Sequence, residues 1–197
     1  MAALDPGVRL IYVARHGETD WNAVGRWQGH TDVPLNDTGR QQARELAATL
    51  QSQGLRVAAS SDLSRARETA QIVAAALGLT FARADADLRE RSFGIFEGLT
   101  RAECAERYPS EWAAWEKERR APGGAESQVS LAARVHSAAQ RIAMEVAADD
   151  APALIVTHGG ALRALVQAVT GEMPPFVKNG EVWRLVHAGH FVEARRA

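Results

Sequence analysis

Cysteine is almost missing from this chain: Cys104 stands alone among 197 residues. A single thiol can form neither an internal disulfide nor a thiolate metal cage, and it fits a reducing compartment. Lysine is nearly absent as well. Only Lys117 and Lys178 occur, so 21 of the 23 cationic side chains are arginine. Such a bias follows genome composition, and no arginine is notable for its type alone. No apolar run approaches the roughly 18 residues that a membrane span needs, and the first residues lack a basic-then-apolar leader. The expectation is a cytoplasmic protein that does not engage membranes. A formal net charge of −1 leaves no electrostatic footprint for nucleic acid either. Walker, Rossmann and serine-elbow motifs (G-x-x-x-x-G-K, G-x-G-x-x-G, G-x-S-x-G) do not occur, which removes support for those chemistries. What remains is 46% hydrophobic and 24% charged, a globular mix that excludes disorder, collagen and coiled coil. The length suits one domain spanning residues 1–197.

Val8 to Ala14 is a β-branched apolar run that ends in Arg15-His16-Gly17, and it reads as a buried strand delivering polar groups at its carboxyl end. Glu18 to Leu35 has no clean period and reads as a loop. Asn36 then caps a helix with Ala43, Leu46, Ala47 and Leu50 on one face, and Gly54 ends it. Arg56 to Ser60 is a second strand. A helix carrying Ala66, Ala70, Val73 and Leu77 follows, closed by Gly78, and Leu79 to Arg83 makes a third strand. This alternation predicts an α/β fold, a three-layer α/β/α sandwich around a mostly parallel sheet.

Leu88 to Ser127 breaks the rhythm. It holds Gly94, Gly98, a capping box at Thr100 and Glu103, Trp112, Trp115 and Pro122-Gly123-Gly124, and it reads as a small lid inserted at about 90–127. A long helix with Leu131, Val135, Ile142 and Val146 inward comes next. Ala153 to Val156 is a strand ending in Thr157-His158-Gly159-Gly160, followed by a helix through Leu162, Leu165, Val166 and Val169. Val182 to Val186 and Phe191 to Ala194 close the chain as a hairpin. Val182 to Val186 is read as an edge strand able to pair with a second copy, giving a homodimer.

Two strands therefore end in histidine followed by glycine. Ligands gather at the carboxyl ends of strands in open α/β sheets, so neighbouring strands would bring Arg15, His16 and His158 together. Gly159 and Gly160 open a helix whose N–H groups attract anions. Arg65, in the first turn of the helix after strand two, points to the same end. Such a cationic cluster in a nearly neutral chain suggests phosphate, whose oxygens match guanidinium forks. Against this, one histidine after a strand is more often structural; two in the same context bring the readings level. His187 and His190 lack nearby acidic or cysteine partners for a metal, and Cys104 reads as an inert thiol.

The ordered blocks Arg15-His16-Gly17-Glu18-Thr19 with Asn22, Leu35 to Ala43, Ser60 to Ala66 with Thr69-Ala70, Leu88 to Gly94 and Thr157-His158-Gly159 resemble the histidine phosphatase superfamily, also called phosphoglycerate mutase-like. The resemblance implies that His16 is a nucleophile forming phosphohistidine. It implies that Arg15, Asn22, Arg65 and His158 hold the phosphoryl group, that Gln28 and Gly159 also bind the substrate, and that Glu90 donates and accepts the proton. It requires neither metal nor cofactor, because arginines carry the charge that a metal would supply.

Within that family, mutases carry a long enclosing insertion, a small hydroxyl residue where Gln28 stands and Asn where Gly160 stands. The short lid, Phe96-Glu97-Gly98 and Ala125-Glu126-Ser127 resemble the phosphatase branch, whereas Arg89-Glu90-Arg91 also suits a mutase. The expectation is a histidine acid-type phosphatase, a phosphoric monoester hydrolase, acting on a small phosphorylated metabolite. The alternatives are a cofactor-dependent phosphoglycerate mutase and a non-catalytic phospho-ligand-binding module. Phosphosugars, phosphoglycerate derivatives, nucleotide monoesters, α-ribazole phosphate and phosphoserine are all open as substrates. Trp112, Trp115, Arg119 and Arg120 are candidates to choose among them, set against the reading of core tryptophans and a solvated arginine pair.

Overall fold

A computed structural model describes residues 7–146 and 151–197, except for the side chain of Val146, whose expected inward position lies outside the described residues. The elements run β1 (Arg9–Arg15), α1 (Asp20–Ala23), α2 (Asp37–Leu50), β2 (Val57–Ser61), α3 (Ser64–Leu77), β3 (Thr80–Asp85), α4 (Arg101–Arg107), α5 (Pro109–Glu118), α6 (Gln128–Val146), β4 (Ala153–Thr157), α7 (Gly159–Thr170), β5 (Val182–His187) and β6 (Phe191–Arg196). The six strands form one mixed sheet in the order β3-β2-β4-β1-β5-β6. The first four in that order are mutually parallel, and β5 and β6 are antiparallel.

Alternation along the central strands builds two apolar layers. Leu10, Tyr12 and Ala14 of β1 face α2 and α3, meeting Leu46, Leu50, Ala66, Ala70 and Val73. Ile11 and Val13 face α6 and α7, meeting Leu131, Val135, Ile142, Leu162 and Leu165. The result is the expected α/β/α sandwich. Helix ends follow their caps: Asn36 Oδ1 accepts from Gly39 N at 2.8 Å, and Gly54 and Gly78 take left-handed φ of 69° and 67°. No described helix is long and apolar enough to cross a membrane.

Four local expectations change. Glu18 to Leu35 contains α1, whose Thr19 side chain and backbone bond reciprocally with Asn22; one turn is too short to show a period. The inserted segment carries two helices, because Pro109 starts a new one at its first position. Phe96, Leu99 and Cys104 form a third small core there, flanked by Trp27, Phe93, Trp112 and Trp115. β3 begins at Thr80 and runs to Asp85. Finally, β5 is not an edge: β1 pairs with it on one side and β6 on the other, so the sheet edges are β3 and β6. Cross-strand order is a long-range property, and the local pattern of Val182 to Val186 does not encode it.

Candidate active site

The parallel pairing of β1 with β4 sets Arg15 opposite Thr157, and His16 N donates to Thr157 O at 2.9 Å. Continuing one residue along each strand brings His16 and His158 together, with ring centroids 5.0 Å apart and planes at 63°. The loop after β1 is tied on every side. Gly17 N donates to Thr69 Oγ1, which in turn donates to Arg65 O. Glu18 N donates to Gln42 Oε1, and Asn36 N to Glu18 O. A β-carbon on Gly17 would lie 2.3 Å from Gly39 O, and one on Gly39 would lie 2.1 Å from Glu18 O. Both glycines are therefore needed for the start of α2 to press against the nucleophile loop.

His16 Nδ1 lies 2.6 Å from Gly17 O. A carbonyl only accepts, so Nδ1 carries the proton and the neutral ring keeps its lone pair on Nε2. Burial, then the charges of Arg65 and Arg15, push the His16 pKa well below 6.5, although the Gly17 bond opposes them. Burial and the same two arginines, with His16 itself, lower His158 as well. Both rings are neutral at pH 7. Arg65 is 1% exposed, and burial brings its pKa down to about 10.

These linked shifts have a consequence for stability. The unfolded chain binds protons at His16 and His158 near pH 6.5 while the folded chain does not bind them there, so stability falls as pH drops through 6.5. The melting temperature is expected to decrease between pH 7.5 and pH 5.5, and to decrease less in His158→Gln. Circular-dichroism melts check this; an equal decrease in both proteins contradicts it.

The arginines are held by carbonyls rather than carboxylates. Arg15 Nη1 donates to Val177 O at 2.8 Å, and its guanidinium lies 5.3 Å from the Phe176 ring centroid. Arg65 donates to Thr31 O and Gly29 O. The Nε atoms of both arginines and both nitrogens of His158 are buried without a hydrogen-bond partner among the described residues. Buried polar atoms seldom stay unpaired, and the Nε–H groups of Arg15 and Arg65, two residues that line one cavity, form a cationic cradle that an oxyanion would satisfy.

This cradle lies at a cavity of about 380 Å³. His16, Arg15, Asn22, Gln28, Arg65, Glu90 and Gly159 all line it. A β-carbon on Gly159 would approach Arg15 Nε at 3.3 Å, so the glycine lets the guanidinium lie close. His158 does not line the cavity; it is fully buried beside His16. The start of α7 also differs from expectation. Gly160 N and Ala161 N donate to Glu90 at 2.8 and 3.1 Å, and Arg91 N adds a third bond at 2.8 Å. The acceptor at this helix terminus is the protein's own Glu90 carboxyl group. Arg134 fixes the segment that bears it, donating to the carbonyls of Asp87, Arg89 and Glu90 while gripping Glu126 with two nitrogens.

Of the two arginines flanking Glu90, Arg89 turns to a two-pronged pair with Asp62, whereas Arg91 lies over Trp115 and lines the cavity. The four lid candidates divide as well. Trp115 and Arg119 line the cavity, Trp112 packs on Phe96 with centroids 5.8 Å apart, and Arg120 pairs with Glu118 on the surface. Cys104 is buried, which pushes its thiol pKa up. The His187 ring packs edge-on against Phe191 at 5.2 Å. Sequence reasoning missed Arg26, Trp27, Arg101, Arg163 and Phe176 in the lining. Arg26 and Trp27 follow α1, in the segment that reads as a loop from the sequence alone.

Two histidines at adjacent strand ends, two buried arginines and a facing carboxylate define a phosphoryl-handling class, and the chain belongs to the histidine phosphatase superfamily. The profile of that superfamily (branch 1) matches residues 11–189. The chain is 44% identical over 161 residues to phosphoglycerate mutase-like protein 4 of Arabidopsis thaliana, covering 80% of this chain and 69% of the relative. It is 38% identical over 167 residues to the metal-independent phosphoserine phosphatase of the same plant, covering 83% and 69%. Among solved structures, a mycobacterial glucosyl-3-phosphoglycerate phosphatase superposes with a TM-score of 0.82 at 33% identity, covering 95% of this chain and 97% of the other. Phosphatases and a mutase-like protein thus both stand among its relatives, and the fold does not separate them.

Proposed function

We propose that the protein is a phosphomonoester hydrolase that works through a phosphohistidine on His16, with Glu90 as proton donor. The observation that carries this reading is the neutral His16 ring, its Nδ1 bonded to Gly17 O, beside two arginines with unpaired Nε groups. Nε2 of His16 attacks phosphorus as the P–O ester bond breaks, and Glu90 gives its proton to the departing alkoxide. Glu90 then takes a proton from water, whose oxygen bonds to phosphorus as the P–N bond breaks. Phosphate leaves and His16 is neutral again. Arg15 and Arg65 carry the developing charge, Asn22 adds a hydrogen bond, and His158 packs against the His16 ring. The transition state is loose, so positioning and charge are what the protein must supply. One such preorganised donor is worth on the order of 3 kcal/mol.

Hydrolysis is favoured over mutase chemistry because the rim is open to solvent. Arg101 and Arg119 are exposed, and Met173 and Phe176 are 41% and 73% exposed, although all four line the cavity. Water can compete for the phosphoenzyme. The purified protein is expected to release phosphate from p-nitrophenyl phosphate with a chelator present. It is expected to interconvert phosphoglycerates poorly even with 2,3-bisphosphoglycerate. Efficient interconversion reverses the reading of reaction type, and phosphate binding without turnover supports a binding module instead.

A further inference from the structure

The turn before β5 reaches back across the whole chain to the nucleophile loop. Gly180 N donates to Arg15 O at 3.1 Å, and Arg15 N donates to Glu181 O at 3.0 Å. Just before these backbone ties sits Asn179, partly buried, whose Nδ2 donates to His16 O at 3.0 Å and to Asn22 Oδ1 at 3.2 Å. The first bond fixes the orientation of its amide, since a carbonyl accepts and never donates. The second then fixes Asn22. Asn22 Oδ1 already accepts from Thr19 N and Thr19 Oγ1, both at 3.2 Å, so Asn179 is its third donor.

Asn22 Oδ1 thus accepts from three donors. Asn22 lines the cavity, and its Nδ2 has no hydrogen-bond partner among the described residues. An Asn22 amide turned by 180° would present oxygen to a bound oxyanion, a repulsive contact in place of a hydrogen bond. We infer that Asn179 is a positioning residue: it holds Asn22 with its N–H groups toward the transferred phosphoryl group, while anchoring the carbonyl of the nucleophile. This rests on the phosphatase reading above, because it takes the cavity's anion to be the transferred phosphoryl group. Asn179 touches no reacting atom and acts through Asn22 and His16.

The test is a double-mutant cycle read on two signals, inorganic phosphate binding by calorimetry and kcat/KM for p-nitrophenyl phosphate. Asn179→Ala is expected to weaken phosphate binding about 5- to 20-fold, the scale of one lost charge-assisted hydrogen bond. In an Asn22→Ala background the same substitution is expected to change binding less than about 2-fold, since the group it orients is gone. Asn179→Asp keeps the size but replaces the donor by an acceptor, and is expected to weaken binding at least as much as Asn179→Ala. A purely structural role gives the same loss in both backgrounds, and that result overturns the inference. No loss in either background overturns it as well. A wild-type protein that neither binds phosphate nor hydrolyses the ester overturns the phosphatase reading itself, and this inference with it.

Discussion

His16→Asn is expected to lower phosphate release by about 10⁴-fold or more, with the melting temperature little changed. A covalent route divides one difficult displacement into two easier ones, and it has no substitute once the attacking nitrogen is removed. The remaining cradle of Arg15 and Arg65 would still bind the substrate, so KM is expected to move far less than kcat. Asparagine suits the test because it leaves an amide in a nearly buried position where an apolar side chain would strand polar neighbours. A second readout concerns the intermediate. Rapid quenching of the wild-type protein with substrate is expected to trap an acid-labile phosphoryl group at residue 16, seen by mass spectrometry and absent from the variant. Undiminished turnover by His16→Asn would remove the nucleophile assignment. A phosphoryl group trapped at His158 would exchange the two histidines.

How much of this was legible before the structure depended on how local each determinant is. β1 and β4 announce themselves as β-branched runs that stop at Arg15-His16 and Thr157-His158, and strands of that kind lie next to one another in the sheet centre. Helices α2 and α3 carry their caps and their apolar stripes in contiguous sequence. His158, by contrast, was expected to line the ligand's space and is fully buried beside the His16 ring, outside the cavity lining, a matter of side-chain depth that a sequence does not print. The use of the α7 terminus by Glu90 joins residues 70 positions apart, and the Asn179 clamp joins residues 163 and 157 apart. Neither has a periodic or motif signal. Likewise, the resemblance flagged Leu35 to Ala43 only as a matching block; the backbone contact of Gly17 with Gly39 supplies its physical meaning.

Glu90→Gln is expected to reduce kcat by about 10²- to 10⁴-fold, the range that a positioned general acid contributes, with its effect concentrated on esters of poor leaving groups. An alkyl phosphate needs a proton on its departing oxygen, whereas p-nitrophenolate leaves without one, so the loss is expected to be larger for the alkyl ester. That contrast separates proton donation from a merely structural loss, which would lower both alike. Gly160→Ala tests the same group from the other side. A β-carbon there would stand 2.4 Å from Glu90 Oε1, closer than real β-carbon contacts come, and 3.1 Å from its carboxyl carbon, and the helix start behind it is backbone that cannot retreat cheaply. The carboxylate must therefore leave its seat on Gly160 N and Ala161 N, carrying the acid away from the scissile bond. The variant is expected to reproduce the leaving-group dependence of Glu90→Gln, and the double variant to be little worse than either single one, because both remove the same proton donor. Full alkyl phosphatase activity in Gly160→Ala would mean that Glu90 works from another position. Losses that multiply in the double variant would assign Gly160 a separate task.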